Sequence, residues 1–534
     1  MNPPAYVLKK HGARVLDPAT AVKLPGQKDI RPTVYVGATL LVRASRLDDY
    51  IMRELQLAAG ESLKVERDDE DQEYLELARE MGLGELADRV LTTKVRLVPA
   101  HPDLPFSPPD AWTVLQTFRS QVGRHSEAAR QVTLEHLLTA TEGSSLSGVP
   151  FMGGSPFMGG SPFMGGSPFM GGSPAGGGPM SQYGTPGYGG RAPVTWLGPE
   201  PARCPDPVAE KDRFRRPVIA VLDTGAGLHP WLPDSIVERH ASVGSLSIGL
   251  TNPATNPENT GVVQDPLEGM LDPDAGHGTF IAGLIRQTCP DANILAVRVM
   301  YGDGAVTEGD LLQAVNRLLL RHAAAQDRDQ PDLLIDVLSL SLGYYHELPV
   351  DEAFDHLLLE PLLEFGRRGV AVVAAAGNDA TVRHFYPAGF APHTASKAKR
   401  RHDVVPVVGV GALNPDGQTI ALFSNAGPWV SCHRRGAALV SSMPVTFNGA
   451  LQPVAKLFVR GDGERSTIDP DNFCGGFGTW SGTSFSAPIL AGEIAQKLIE
   501  SGSLMANNPD AMVTRSWNAL TELTKLKRPQ PRKT

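Results

Sequence analysis

Cysteine is scarce in this chain of 534 residues, and its scarcity excludes two architectures. The 4 residues present, Cys204, Cys289, Cys432 and Cys474, are too few and too scattered for a disulfide framework. None forms a C-x-x-C pair, so no metal is expected from them. Spacing alone leaves a Cys432–Cys474 bridge open. Long apolar runs are missing as well. No stretch of about 18 uninterrupted apolar residues occurs, which argues against a spanning helix and a membrane partner. The early run VYVGATLLV at 34–42 is too short to cross a bilayer and suits a strand. The N-terminus, MNPPAYVLKKHGARVLDPAT, has no apolar core of signal-peptide length, and with so few cysteines a cytoplasmic location is expected. Positive charge is in deficit: a formal net charge of −9 argues against a nucleic-acid partner. The basic end, LTKLKRPQPRKT, reads as a solvated tail.

What is present divides the chain into stretches of different composition. Residues 1–145 mix the strand-like runs VYVGATLLV and TKVRLVPA with helical spacing in DDYIMRELQLAAG, DQEYLELAREMGLGELADRVL and SPPDAWTVLQTFRSQV. This is the pattern of a small α+β domain, and it carries no visible chemistry. PFMGGS then occurs four times in tandem from Pro150 to Ser173. Glycine and proline at that density cannot fill a core or hold a helix, so 146–205 is read as a flexible linker. From 206 to 505, near-continuous apolar strands (PVIAVLD, NILAVRVM, LLIDVLSLSLG, GVAVVAAAGN, DVVPVVGVGAL) alternate with amphipathic helices. That alternation predicts an α/β domain with a mainly parallel sheet covered on both faces, whose ligands sit at the carboxyl ends of strands. Residues 506–534 are left as a C-terminal extension.

Asp223 ends the strand PVIAVLD, inside IAVLDTGAG. An aspartic protease needs two facing carboxylates, and this chain has one Asp-Thr/Ser-Gly in an α/β half. A dinucleotide loop needs G-x-G-x-x-G, and here Pro230 stands where the third glycine belongs. The third reading gives Asp223 a histidine to orient. GHGTFIAGLI places His277 between two glycines at the start of an apolar helix. WSGTSFSAPILAGEIAQKL places Ser484 at a helix N-terminus, with Pro488 expected in the first turn. Alone, each is modest: a histidine is more often structural than catalytic.

Together, Asp-Thr-Gly, Gly-His-Gly-Thr and Gly-Thr-Ser-x-Ser-Ala-Pro, in that order, resemble the subtilisin-like serine proteases (subtilases, peptidase family S8) over roughly 210–505. The resemblance implies a serine endopeptidase acting on polypeptide substrates through an acyl-enzyme, with Ser484 as nucleophile, His277 as general base and Asp223 as its orienting partner. It further implies Asn378, closing GVAVVAAAGN, as an oxyanion-hole donor. Ser341-Leu342-Gly343 and Ala375-Ala376-Gly377 match the two walls of the family's substrate channel. Asp379 is read as a turn carboxylate in preference to a selector of basic residues. No cofactor is required; structural calcium is allowed by the oxygen-rich loop TNPATNPENTGVVQDPLEGMLDPD, which lacks EF-hand spacing. The N-terminal domain is expected to be an intramolecular regulatory or substrate-recruiting module, larger than a simple prodomain and held by the linker, which the enzyme itself is a candidate to cut. The rival expectation is an inactive subtilisin-like fold serving as a scaffold.

Overall fold

The computed structural model describes residues 3–140, 183, 190–205 and 215–530, apart from 25–26, 28, 69–71, 104–107, 196, 349–356, 393–400 and 503. The PFMGGS repeats and most of the charged insertion HTASKAKRRHD lie outside the described residues.

Residues 3–140 form an α+β layer. Helix α1 (Ala5–Lys10) leads into strands β1 (Ala13–Leu16), β2 (Thr33–Arg43), β3 (Leu63–Arg67), β4 (Thr92–Pro99) and β5 (Val132–Ala140). All are antiparallel, in the order β3-β4-β2-β5, with β1 also paired to β2. Helices α2 (Asp49–Ala59) and α3 (Ala111–Val122) cover one face through Ile51, Leu55, Trp112, Leu115 and Phe118. Asp48 caps α2 by accepting the Ile51 N–H at 2.9 Å, a contact worth about 1 kcal/mol.

The second layer is built on seven parallel strands. In chain order these are β6 (Val218–Asp223), β7 (Val237–Glu238), β8 (Asn293–Arg298), β10 (Val337–Leu340), β12 (Ala371–Ala375), β13 (Val408–Leu413) and β14 (Val430–Arg435). Short strands β9 (Ala305–Thr307) and β11 (Leu342–Tyr345) stand outside this sheet. Across it the order is β14-β13-β12-β10-β6-β8-β7. Successive strands leave β6 in opposite directions, so the sheet's topological switch lies beside its carboxyl end, where Asp223 stands.

Period-two alternation explains why both faces are covered. Ile219 and Val221 of β6 point into one cluster with helices α4 (His277–Thr288), α7 (Thr483–Glu500) and α8 (Pro509–Leu523). Ala220 and Leu222 point into the other, with α5 (Glu308–Asp327) and α6 (Leu359–Arg367). Helix α8 falls in the stretch the sequence left as an extension. It belongs to this layer: Trp517 is fully buried and donates to Val404 O at 3.0 Å, and Arg515 binds the buried Asp336 at 2.7 Å. All four cysteines are free, so Cys432 and Cys474 do not pair: the first is buried in the core and the second exposed.

The two layers share a sheet. One edge of β5 pairs with β2; its last residues pair antiparallel with β9 (Thr139 opposite Ala305) and with β11 (Thr139 opposite Gly343, Ala140 opposite Leu342). Leu138 and Ala140 join the same apolar cluster as Leu222, Leu340 and Leu342. Burying apolar area of this kind is worth about 25 cal/mol per Å².

A polar lock stands beside that seam. The buried His136 on β5 bonds Glu308 Oε2 through Nδ1 at 2.8 Å and Glu347 Oε2 through Nε2 at 2.9 Å, and stacks on Tyr344 with ring centroids 4.2 Å apart. Burial alone would lower its pKa, but the two carboxylates hold the proton and raise it to about 10.

Candidate active site

Each predicted site residue sits where a strand or helix end delivers it. Asp223 closes β6, and His277 opens α4. Between them the backbones touch. Gly225 turns the chain at φ +109°, and a side chain at Gly278 would strike the Gly225 carbonyl. That close approach brings His277 Nδ1 to 2.7 Å from Asp223 Oδ1, with both residues fully buried. The carboxylate is fixed in turn by the Thr224 N–H at 2.8 Å. The imidazole ring lies 5.2 Å from the Phe485 ring and edge-on to Trp480 at 5.8 Å, which sets it against the first turn of α7.

Ser484 is the second residue of α7. The helix begins at Thr483, so Pro488 lies in its second turn and not, as expected, in the first. The displacement has a chemical effect. Proline has no N–H, so it cannot donate to the carbonyl four residues back, which is that of Ser484. That carbonyl instead accepts the Ser341 Oγ hydrogen at 2.8 Å, while Ser484 Oγ donates to Ser341 O at 3.4 Å. Ser341, between β10 and β11, is thereby tied to Ser484 from both sides.

Asn378 follows β12 through Gly377, which adopts φ +95°. Its Oδ1 accepts from Thr483 N at 2.9 Å and Thr483 Oγ1 at 2.8 Å. Those bonds settle the amide's orientation and leave Nδ2 buried with no hydrogen-bond partner among the described residues. Thr483 Oγ1 also accepts the Gly377 N–H at 3.1 Å, so strand end and helix start are held together by one hydroxyl. Ala375 and Ala376 are fully buried, and Ala376 O accepts from Asn425 Nδ2 at 2.9 Å. Asp379 accepts from Tyr345 OH at 2.8 Å, in keeping with a structural carboxylate. Leu342 and Gly343 lie on β11, against β5.

One site residue has no motif to announce it. Glu258, fully buried, accepts from Thr224 Oγ1 at 2.5 Å, from Gly276 N at 3.1 Å and from Thr279 Oγ1. Thr224 Oγ1 in turn accepts the Gly278 N–H at 2.9 Å. Glu258 thus ties the turn after Asp223 to the turn around His277, and burial pushes its carboxyl up to about 7. Its loop, allowed for calcium by sequence, puts Asn252 and Asn256 to use as caps on Ala254 N and Glu258 N.

Among the described residues, His136, His346 and Glu347 form the group with metal-like spacing, their donor atoms within 4.8 Å of one another. Both His136 nitrogens already bond carboxylates.

A buried carboxylate–imidazole pair packed against the helix turn that carries Ser484, beside an oriented asparagine amide, coincides with a family match: the model described as Subtilase family fits residues 215–525. The chain belongs to the Subtilase family. Serine protease AprX of Bacillus subtilis (strain 168) is 26% identical over 310 residues, 55% of this subtilase and 57% of that protein. The membrane-bound transcription factor site-1 protease of Homo sapiens is 28% identical over 233 residues, 42% of this chain and 18% of that one. This subtilase therefore spans little more than half of the first and a small part of the second. A solved cold-adapted subtilisin-like serine proteinase is 20% identical, covering 56% of this chain and 79% of that one with a TM-score of 0.33. The family match takes in α8 and lies wholly outside residues 3–140. No helix among the described residues is long and apolar enough to cross a membrane.

Proposed function

We propose that this subtilase is a serine endopeptidase for extended polypeptide segments. Ser484 Oγ attacks the substrate carbonyl carbon and passes its proton to His277 Nε2. Asp223, bonded to Nδ1, fixes the tautomer and stabilises the imidazolium. The tetrahedral oxyanion accepts hydrogen bonds from the Asn378 Nδ2 amide and the Ser484 N–H, the latter carrying the positive end of the α7 dipole. Collapse expels the amine, which takes the proton from His277 and leaves an acyl-Ser484 ester. Water, deprotonated by the same imidazole, then hydrolyses the ester and restores the hydroxyl.

The observation that carries this reading is the 2.7 Å Asp223–His277 bond packed against the helix turn that presents Ser484. A structural histidine needs no such partner at the switch point of a parallel sheet. Substrate main chain is taken up by β9 and β11, the strands that pair with β5. The N-terminal layer is accordingly a regulatory module whose last strand lies along the substrate path.

A fluorophosphonate probe tests the proposal. The full chain should label covalently, and Ser484→Ala should not. A scaffold without activity would leave both unlabelled. Intact mass over days tests the linker: wild-type protein should gain a cut between 141 and 190 that Ser484→Ala lacks.

A further inference from the structure

We infer that Glu258 is a positioning residue for the reaction proposed above: through the Thr224 hydroxyl it sets how strongly Asp223 holds the His277 imidazolium. The inference rests on the protease reading.

A hydroxyl carries one hydrogen, and that of Thr224 has two acceptors within reach. Glu258 Oε1 lies 2.5 Å from Thr224 Oγ1, and Asp223 Oδ1 lies 3.2 Å from it. The other side of the hydroxyl oxygen accepts the Gly278 N–H at 2.9 Å. An ionised Glu258 takes the hydrogen, because that contact is shorter and charge-assisted. Asp223 Oδ1 then keeps the Thr224 N–H at 2.8 Å and His277 Nδ1 at 2.7 Å, while Oδ2 has no hydrogen-bond partner among the described residues.

A protonated Glu258 must itself donate, and the two threonines beside it are not equivalent. Its Oε2 meets Thr279 Oγ1, which already accepts the Gly227 N–H at 2.7 Å. Donation there would strand the Thr279 hydroxyl hydrogen, which has no second acceptor among the described residues. Donation to Thr224 instead releases a hydrogen that has Asp223 waiting for it. The Gly276 N–H, at 3.1 Å from Oε1, is accepted in either state. Protonation of Glu258 therefore turns the Thr224 hydrogen onto Asp223.

That turn weakens the proposed base. A third donor on Oδ1 draws charge away from the bond to His277, and the negative charge of Glu258 is lost as well. The imidazolium that forms as Ser484 attacks is then less stabilised. The charged groups around Glu258 are Asp223 at the end of β6, His277 on α4 and Arg298 on β8. Arg298 packs on the same Gly225 but turns its guanidinium to the Leu250, Asn252 and Thr255 carbonyls. Burial pushes the Glu258 carboxyl up to about 7, so both states are populated near neutrality.

The test reads the rate of fluorophosphonate labelling of the full chain from about pH 5 to pH 9, which follows the reactivity of Ser484 itself. Divided by the rate for Glu258→Gln, which cannot ionise, it should climb about three- to tenfold as pH rises through about 7. Asp274, which burial pushes up to about 6, is present in both proteins. A glutamate with a purely structural role would change the rate by one factor at every pH. In a Thr224→Val background only the through-space charge remains, so the climb should shrink to about twofold or less. Thr224→Ser keeps the hydroxyl and should restore it. Parallel profiles for wild type and Glu258→Gln overturn the inference, and so does a climb undiminished by valine. A wild-type chain that labels at no pH strikes the protease reading instead.

Discussion

Glu258 offers the sharpest test of how the site is held. Burial moves its carboxyl from the usual 4.5 to about 7. A folded-state pKa raised above the unfolded one means that folding favours the protonated form. Its stabilising contribution is complete below about pH 4.5 and is lost as pH rises through about 7. Moving a carboxyl from 4.5 to about 7 corresponds to about 3 kcal/mol, at 1.36 kcal/mol for each tenfold change in proton affinity. Glutamine keeps the shape and an acceptor oxygen for Thr224 or Thr279, and it cannot ionise. The measurement is urea unfolding, followed by tryptophan fluorescence, of Ser484→Ala and of Ser484→Ala with Glu258→Gln, the inert background preventing self-digestion. Stability of the first relative to the second should fall by about 3 kcal/mol between about pH 4.5 and pH 8. Asp274, which burial pushes up to about 6, titrates in the same window in both proteins and drops out of the difference. Parallel curves would refute the argument, because they would mean that Glu258 carries its charge in the folded protein without penalty.

Asn378→Ala removes the amide but not the serine, so kcat on a peptide ester should fall about 10²–10³-fold with little change in KM, measured by steady-state kinetics. A fall confined to KM would place Asn378 in substrate binding alone. His136→Leu leaves Glu308 and Glu347 buried without their shared cation; the β5 amides should then exchange hydrogen for deuterium faster, as read by mass spectrometry. In the unchanged protein that lock has the opposite sign to an acid-released one. Because the His136 pKa is raised to about 10, its stabilisation is complete below the ordinary histidine range and disappears only as pH rises through about 10. Protection of β5, corrected for intrinsic exchange, should therefore be full at pH 6, decline progressively between about pH 6.5 and pH 10 and be least near pH 10.5; loss at mild acidity would contradict this.

The parts of the site legible in the sequence are those that local sterics dictate. Gly225, Gly276 and Gly278 accompany Asp223 and His277 because two backbones meet there, and that requirement writes itself as short glycine-flanked motifs. The strands were readable because burial on both faces demands unbroken apolar runs. LLIDVLSLSLG, however, reads as one strand and is two, since Ser341 leaves the parallel sheet to face Ser484. Pro488 reads as a first-turn proline but stands in the second turn, because the cap, Gly482, has no side chain to mark the boundary. Glu258 left no trace: a single glutamate in a polar loop has no periodicity, and its partners lie 34 and 21 residues away in sequence. The union of the two layers was equally hidden. The pairing of β5 with β9 and β11 depends on a register between segments separated by more than 150 residues.

The shared sheet also sets what an opening of this molecule would expose. If β5 lifts away, it leaves bare edges on β9 and β11, two rows of amide and carbonyl groups in search of a partner. Such edges do not discriminate strongly among extended chains, so they would be filled by whichever one arrives. On the proposed function, vacating the cleft and loading it are one strand-exchange event, in which the incoming polypeptide must outcompete Leu138–Ala140 for the same hydrogen bonds before any bond is cut.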